Sequence, residues 1–94
     1  MEFVEQEKVR KNTYQPCEVM EGVMLSMERT IASGKTRISA VARMGDKEVG
    51  NASLSTDTNR IFISVFPLDA MGTEKGMELA GTMTDALKAM LTEE

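Results

Sequence analysis

The chain has no histidine and no tryptophan, one cysteine, one tyrosine and two prolines. Without histidine there is no imidazole to serve as a general base near neutral pH. Nor is there one to take a proton from a nucleophilic serine or cysteine, or to bind zinc. The single thiol, Cys17, has no internal partner, so no disulfide framework and no cysteine-built zinc site is expected, and a reducing cytoplasmic setting is. Phe3, Tyr14, Phe62 and Phe66 are the only aromatics, a thin basis for stacking nucleic-acid bases. No apolar run approaches the ~18 residues of a membrane span. The first residues, "MEFVEQEKVRK", carry three glutamates and do not read as a secretory signal.

Carboxylates remain abundant, but their spacing is not catalytic. On a helix Glu18 and Glu21 would share a solvated face. Asp57-Thr58-Asn59 begins the alternation of a calcium loop but lacks its glycine and its distant glutamate, so it reads as a turn. Cys17 reads as a buried, inert thiol beside Glu18. No catalytic residue, metal site or cofactor is expected, and the chain reads as non-enzymatic.

What is present is ordinary globular material. Ninety-four residues suffice for one core, so residues 1–94 are read as a single domain with 1–14 as an arm or edge strand. The formal charge of −4 argues mildly against wholesale nucleic-acid binding. It is unevenly spread. Residues 35–60 are locally basic, with Lys35, Arg37, Arg43, Lys47 and Arg60 against Asp46, Glu48 and Asp57. Residues 61–94 hold only Lys75 and Lys88 against six carboxylates. Such asymmetry steers a partner or lets parts of one assembly attract each other.

Periodicity then places elements. In residues 17–33, "CEVMEGVMLSMERTIAS", Val19, Met20, Val23, Met24, Met27 and Ile31 fall on one helical stripe, between Pro16 at its start and Gly34 past its end. A strand reading is interrupted by Glu21, so a helix is expected. Residues 36–44, "TRISAVARM", alternate, with Ile38, Ala40, Ala42 and Met44 on one face. Gly45-Asp46 is a turn, "KEVGNASLS" a second strand with a bulge at Gly50, and "STDTN" a second turn. "RIFISVF" at 60–66 is the strongest strand. A last helix runs from about Thr73, its cap, to Leu91, with Met77, Ala80, Met83, Ala86, Leu87, Met90 and Leu91 as its stripe. The expected fold is α+β: a three- or four-stranded antiparallel meander packed against two helices, in the order α-β-β-β-α.

One stretch comes near a known chemical motif. "FPLDAMGTEKG" at 66–76 follows a strand and opens a helix, as a phosphate-binding loop does. Gly72 and Gly76 are separated by three residues instead of four, and Lys75 precedes the second glycine. No serine or threonine follows it for Mg²⁺, and Asp69, Glu74 and Glu78 occupy the anion's place. Nucleotide binding is not expected there.

The hairpin "VARMGDKEVGNASLS", within an α-β-β-β-α order, resembles that of the double-stranded RNA-binding domain. The resemblance covers about fifteen residues. The turn "MGTEKGMEL" is acidic where that family is basic, and "RIFISVF" is an additional strand. The chain is not assigned to the family.

"RIFISVF" is apolar in two directions, with Ile61, Ile63 and Val65 on one face and Phe62 and Phe66 on the other. Two helices cover one face of a small sheet. The second face, where Phe62 and Phe66 are joined by Val41 and Val49, is then left for a partner. Gly76 and Ala80 give the last helix a ridge of small residues that fits its own sheet or a second helix. The expectation is a cytoplasmic accessory or regulatory protein acting by protein–protein contact, as a homodimer. Nucleic acid or another polyanion along Lys35, Arg37, Arg43, Lys47 and Arg60 is the alternative, with a small ligand at a dimer seam near 69–75 as a third reading.

Overall fold

A computed structural model describes residues 9–66 and 72–92. Five strands follow one another: β1 (Val9–Met20), β2 (Val23–Ala32), β3 (Lys35–Met44), β4 (Lys47–Ser55) and β5 (Arg60–Val65). One helix, α1 (Thr73–Thr92), follows them. Each strand pairs antiparallel with the next, giving a meander with β1 and β5 at its edges. The α+β class holds. Among the described residues, the expected three or four strands are five, and the expected two helices are one.

The correction lies at residues 17–33. Met20 pairs with Val23 around Glu21-Gly22, with Gly22 at φ 77. Glu21 breaks the strand alternation because it sits in the hairpin turn. Val23, Leu25, Met27 and Arg29 then alternate inward along β2 and are all buried. Gly34 is no helix stop. With Ser33 it closes the next hairpin at φ 57 and 73, the paired left-handed conformation that matches strand twist. Pro16 lies within a register shift of β1, between Tyr14 and Cys17, on an edge where its missing N–H is tolerated. Cys17 is exposed on that strand, contrary to the expected buried thiol, and Glu18 shares no helix with Glu21. Of the residues read as an arm or edge strand, 9–14 form part of β1 and 1–8 lie outside those described.

One face of the sheet carries the core. Leu25, Met27, Ile38, Ala40, Ala42, Val49, Ala52 and Leu54 lie beneath Leu79, Met83 and Leu87 of α1. The helix crosses β3, β4 and β5. It lies close because the strands beneath it are built from small residues: Ala40 faces Ala52 and Ala42 faces Gly50. A Cβ on Gly50 would stand 3.0 Å from the Ser64 carbonyl oxygen, 3.1 Å from Met83 Cε and 3.5 Å from Leu79 Cδ2. The expected bulge is here. Ala42 opposes Gly50 and Arg43 opposes Glu48, leaving Val49 as the additional residue.

The ends of α1 are held differently. The Gly72 carbonyl accepts the Gly76 N–H at 2.9 Å, so Gly72, at φ 88, takes the cap position expected for Thr73. The last turn contains no basic residue. Its cation comes from the sheet: Arg29, 2 % exposed, donates from Nη1 to the Met90 carbonyl at 2.9 Å and from Nη2 to Asn12 Oδ1 at 3.3 Å. A guanidinium at the negative end of a helix satisfies carbonyls that the helix leaves open. No helix among the described residues is long and apolar enough to cross a membrane.

Candidate interaction surface

The face of the sheet away from α1 is not the apolar surface expected from "RIFISVF". Cross-strand register gives its composition row by row. Ser26, Val41, Asn51 and Ser64 lie side by side; Glu28, Ser39, Ser53 and Phe62 form the next row; Thr30, Arg37, Ser55 and Arg60 the next. Small hydroxyl side chains dominate, and they floor a shallow hollow of about 480 Å³ with Glu28 and Arg37 at its sides. Val41 is half-buried on β3, separated from Phe62 on β5 by the polar side chains of β4. Val49 does not reach this face. It is 1 % exposed in the core, turned inward by the bulge.

The small-residue ridge of α1 also turns inward. Gly76 is buried and Ala80 half-buried, on the same stripe as Leu79 and Met83, so both lie toward the chain's own sheet.

The basic side chains separate into two groups. Lys35, Arg37 and Arg60 lie at one end of the open face, where Lys35 Nζ is 2.7 Å and Arg37 Nη2 is 3.7 Å from the Asp57 carboxylate. The Lys35 hydrogen bond and charge hold the Asp57 carboxyl below its ordinary range. Desolvation acts weakly the other way, and Arg37 adds a smaller lowering. Arg43 and Lys47 stand at the other hairpin, with Arg43 opposite Glu48. Six residues of strand, about 20 Å, separate Arg37 from Arg43. The two groups stand at opposite ends of the hairpin, the first of them paired with Asp57, so the hairpin offers no single basic track. The ligand reading near 69–75 falls in part, at 69–71, on residues outside those described.

Apart from Met24 on β2, 40 % exposed, the exposed large apolar side chains of the sheet gather along β5. Ile61 is 69 % exposed, Phe62 56 % and Phe66 38 %. On α1, Met77 is 71 % and Leu91 46 % exposed. Both were expected in the buried stripe of the helix. Leu91 borders the same small hollow as Ile61 and Arg60, which fixes the flank of α1 that overhangs β5. Met77 lies on the line of Leu91, fourteen residues or about four turns away. The sequence reading missed Ile61, because its face was assigned to the helices. Burial of that face stops short of the edge: Ile63 and Val65 are half-covered and Ile61 is not.

The two edges of the sheet differ. β1 carries Arg10, Lys11 and Glu18, contains Pro16 and has two register shifts, all features that blunt an edge against pairing. β5 pairs with β4 in unbroken register from Arg60 to Val65, has no proline, lysine or bulge, and carries Arg60 at its start as its one charged side chain. Among the described residues nothing pairs with its outer side. No family model, curated protein or solved structure matches the chain.

Proposed function

We propose that the protein is a non-enzymatic accessory or regulatory protein that acts by protein–protein contact, as a homodimer, through the surface around β5. The carrying observation is the coincidence of an unblunted edge strand with exposed Ile61, Phe62, Phe66, Met77 and Leu91. An edge strand offers a row of unsatisfied N–H and C=O groups, and apolar side chains flanking it supply the burial that makes pairing favourable. A cytoplasmic setting suits a chain with one exposed thiol and no disulfide.

Phe62 and Phe66 belong to this surface. Val41, Val49, Gly76 and Ala80, read from the sequence as contact residues, lend it less support, since Val49 and Gly76 are buried and Val41 and Ala80 half-buried. The polyanion reading draws less support, because its five cations stand in two separated groups, one of them paired with Asp57. Sedimentation equilibrium of the parent chain and of Phe62→Asp and Phe66→Asp tests the proposal. The parent is expected to show about twice its 10.4 kDa mass. The variants, folded by circular dichroism, are expected to sediment as single chains. Unchanged mass in folded variants rejects the contact.

A further inference from the structure

Resting on the self-association proposed above, we infer how the second copy sits. Its β5 adds antiparallel to this β5 about a two-fold axis at Ile63, making one ten-stranded sheet with both helices on the same side.

The register follows from two constraints. Residues opposed in an antiparallel pair point to the same face, so the numbers of an opposed pair must sum to an even value. The strand spans Arg60–Val65, which leaves a centre at residue 62 or 63. The centre at Ile63 sets Ile61 opposite Val65 of the second copy and Phe62 opposite its Ser64. It also brings Arg60 to Phe66 of the second copy, a cation over an aromatic ring.

The helices agree with that choice. Leu91 stands at the Ile61 end of β5, and Met77 lies toward the opposite end of α1. A two-fold axis at Ile63 therefore brings Met77 to Leu91 of the second copy, with Thr84 midway between them. Positions 77, 84 and 91 repeat every seven residues and form one line along the helix. The helix is centred on β4, with β3 and β5 on either side. Three strand spacings, about 14 Å, would separate the two axes. Directly packed helices lie 8–10 Å apart, so the gap calls for long side chains at both ends, which Met77 and Leu91 are.

Charge and area fit a second copy. "RIFISVF" and positions 77, 84 and 91 hold no carboxylate in a chain of net charge −4, so two copies meet there without acidic repulsion. Glu78 and Asp85 stand on the outward side of α1, away from the sheet, and both are exposed. At about 200 Å² for a large side chain, the five exposed apolar residues offer on the order of 500 Å², against about 800 Å² a side in a standard interface. The strand backbone and its neighbours supply the remainder.

Cysteine cross-linking tests the arrangement. In a Cys17→Ser chain, Ile63→Cys would place two thiols on directly opposed residues, about 5.5 Å apart between Cα atoms and inside the range of a disulfide. Thr13→Cys on the β1 edge is the comparison, and Thr84→Cys with a short bismaleimide is a second probe that leaves β5 intact. Mild oxidation is expected to join Ile63→Cys chains at least about tenfold faster than Thr13→Cys chains, as effective concentration in a dimer requires. The bismaleimide is expected to couple Thr84→Cys chains. A parent chain of doubled mass that joins through neither position 63 nor 84, or through 13 instead, overturns this arrangement while the homodimer stands. A parent chain of single mass at every concentration overturns both.

Discussion

Arg29 is the residue whose role is least like its sequence context. It stands in the inward row of β2 with Val23, Leu25 and Met27, yet it is charged and almost fully buried. Its bond to the Met90 carbonyl ties the end of α1 to a strand the helix does not cross. Arg29→Ala is expected to lower stability by about 2–3 kcal/mol, since hydrogen bonds from a charged donor are worth that much. Urea midpoints measure it, and hydrogen exchange should show the last turn of α1 fraying; an unchanged midpoint refutes the cap. Two glycines should respond in opposite directions. Gly50→Ala forces a methyl against a backbone carbonyl and Met83, an overpacking worth about 1–3 kcal/mol. Gly81, mid-helix and exposed, has nothing within 4 Å of a new Cβ, so Gly81→Ala should stabilise by about 1 kcal/mol. Thermal melts of both distinguish close packing from open surface. Asp57 titrates below the ordinary aspartate value of 3.8 because Lys35 binds its ionised form. Its folded value is the lower one, so its contribution is present above the unfolded value and is lost as pH falls through the folded value. Both partners are exposed, so the effect is small and screened by salt. A carboxyl NMR titration should show the lowered midpoint, and Lys35→Met should raise it.

At the scale of elements, the alternating strands and the final helix were legible, and the first hairpin was not. "TRISAVARM", "KEVGNASLS" and "RIFISVF" announce themselves by period, and Gly50 announced its bulge by interrupting one. Residues 17–33 failed for two physical reasons. Glu21-Gly22 is a two-residue turn that looks like a flaw in a longer pattern. Arg29 puts a charge on the buried face because the helix end above it lacks a cation of its own. The apolar residues left over happen to fit a helical stripe. The proposed surface was half legible: Phe62 and Phe66, named from the sequence, do stand exposed, whereas Val49 lies in the core because a bulge reverses the side of the residue it adds. Ile61 was hidden because an edge strand leaves even its inward face partly bare. The edges themselves make a prediction. Ile61→Lys sets a charge on the unblunted strand at a site already 69 % exposed. Folding of the single chain should change by no more than about 0.5 kcal/mol, while the concentration needed for self-association, followed by light scattering, should rise; no rise means β5 is not the pairing edge.

For the whole molecule, size is the governing quantity. A chain of 94 residues buries roughly 60–70 % of its extended surface, and among the described residues one helix covers only one side of a five-stranded sheet. Pairing two β5 strands removes the unblunted edges and leaves only the two β1 strands, already broken by proline and bulges, at the outside. Association of this kind couples stability to concentration, so the melting temperature should climb as the protein is concentrated. The most direct test is amide hydrogen exchange along β5, at high and low protein concentration. The account predicts that the N–H groups of β5 directed away from β4 are protected when the protein is concentrated and exposed on dilution, while the outer N–H groups of β1 exchange freely at both. Outer β5 amides that exchange as fast as those of β1 in concentrated solution would contradict it.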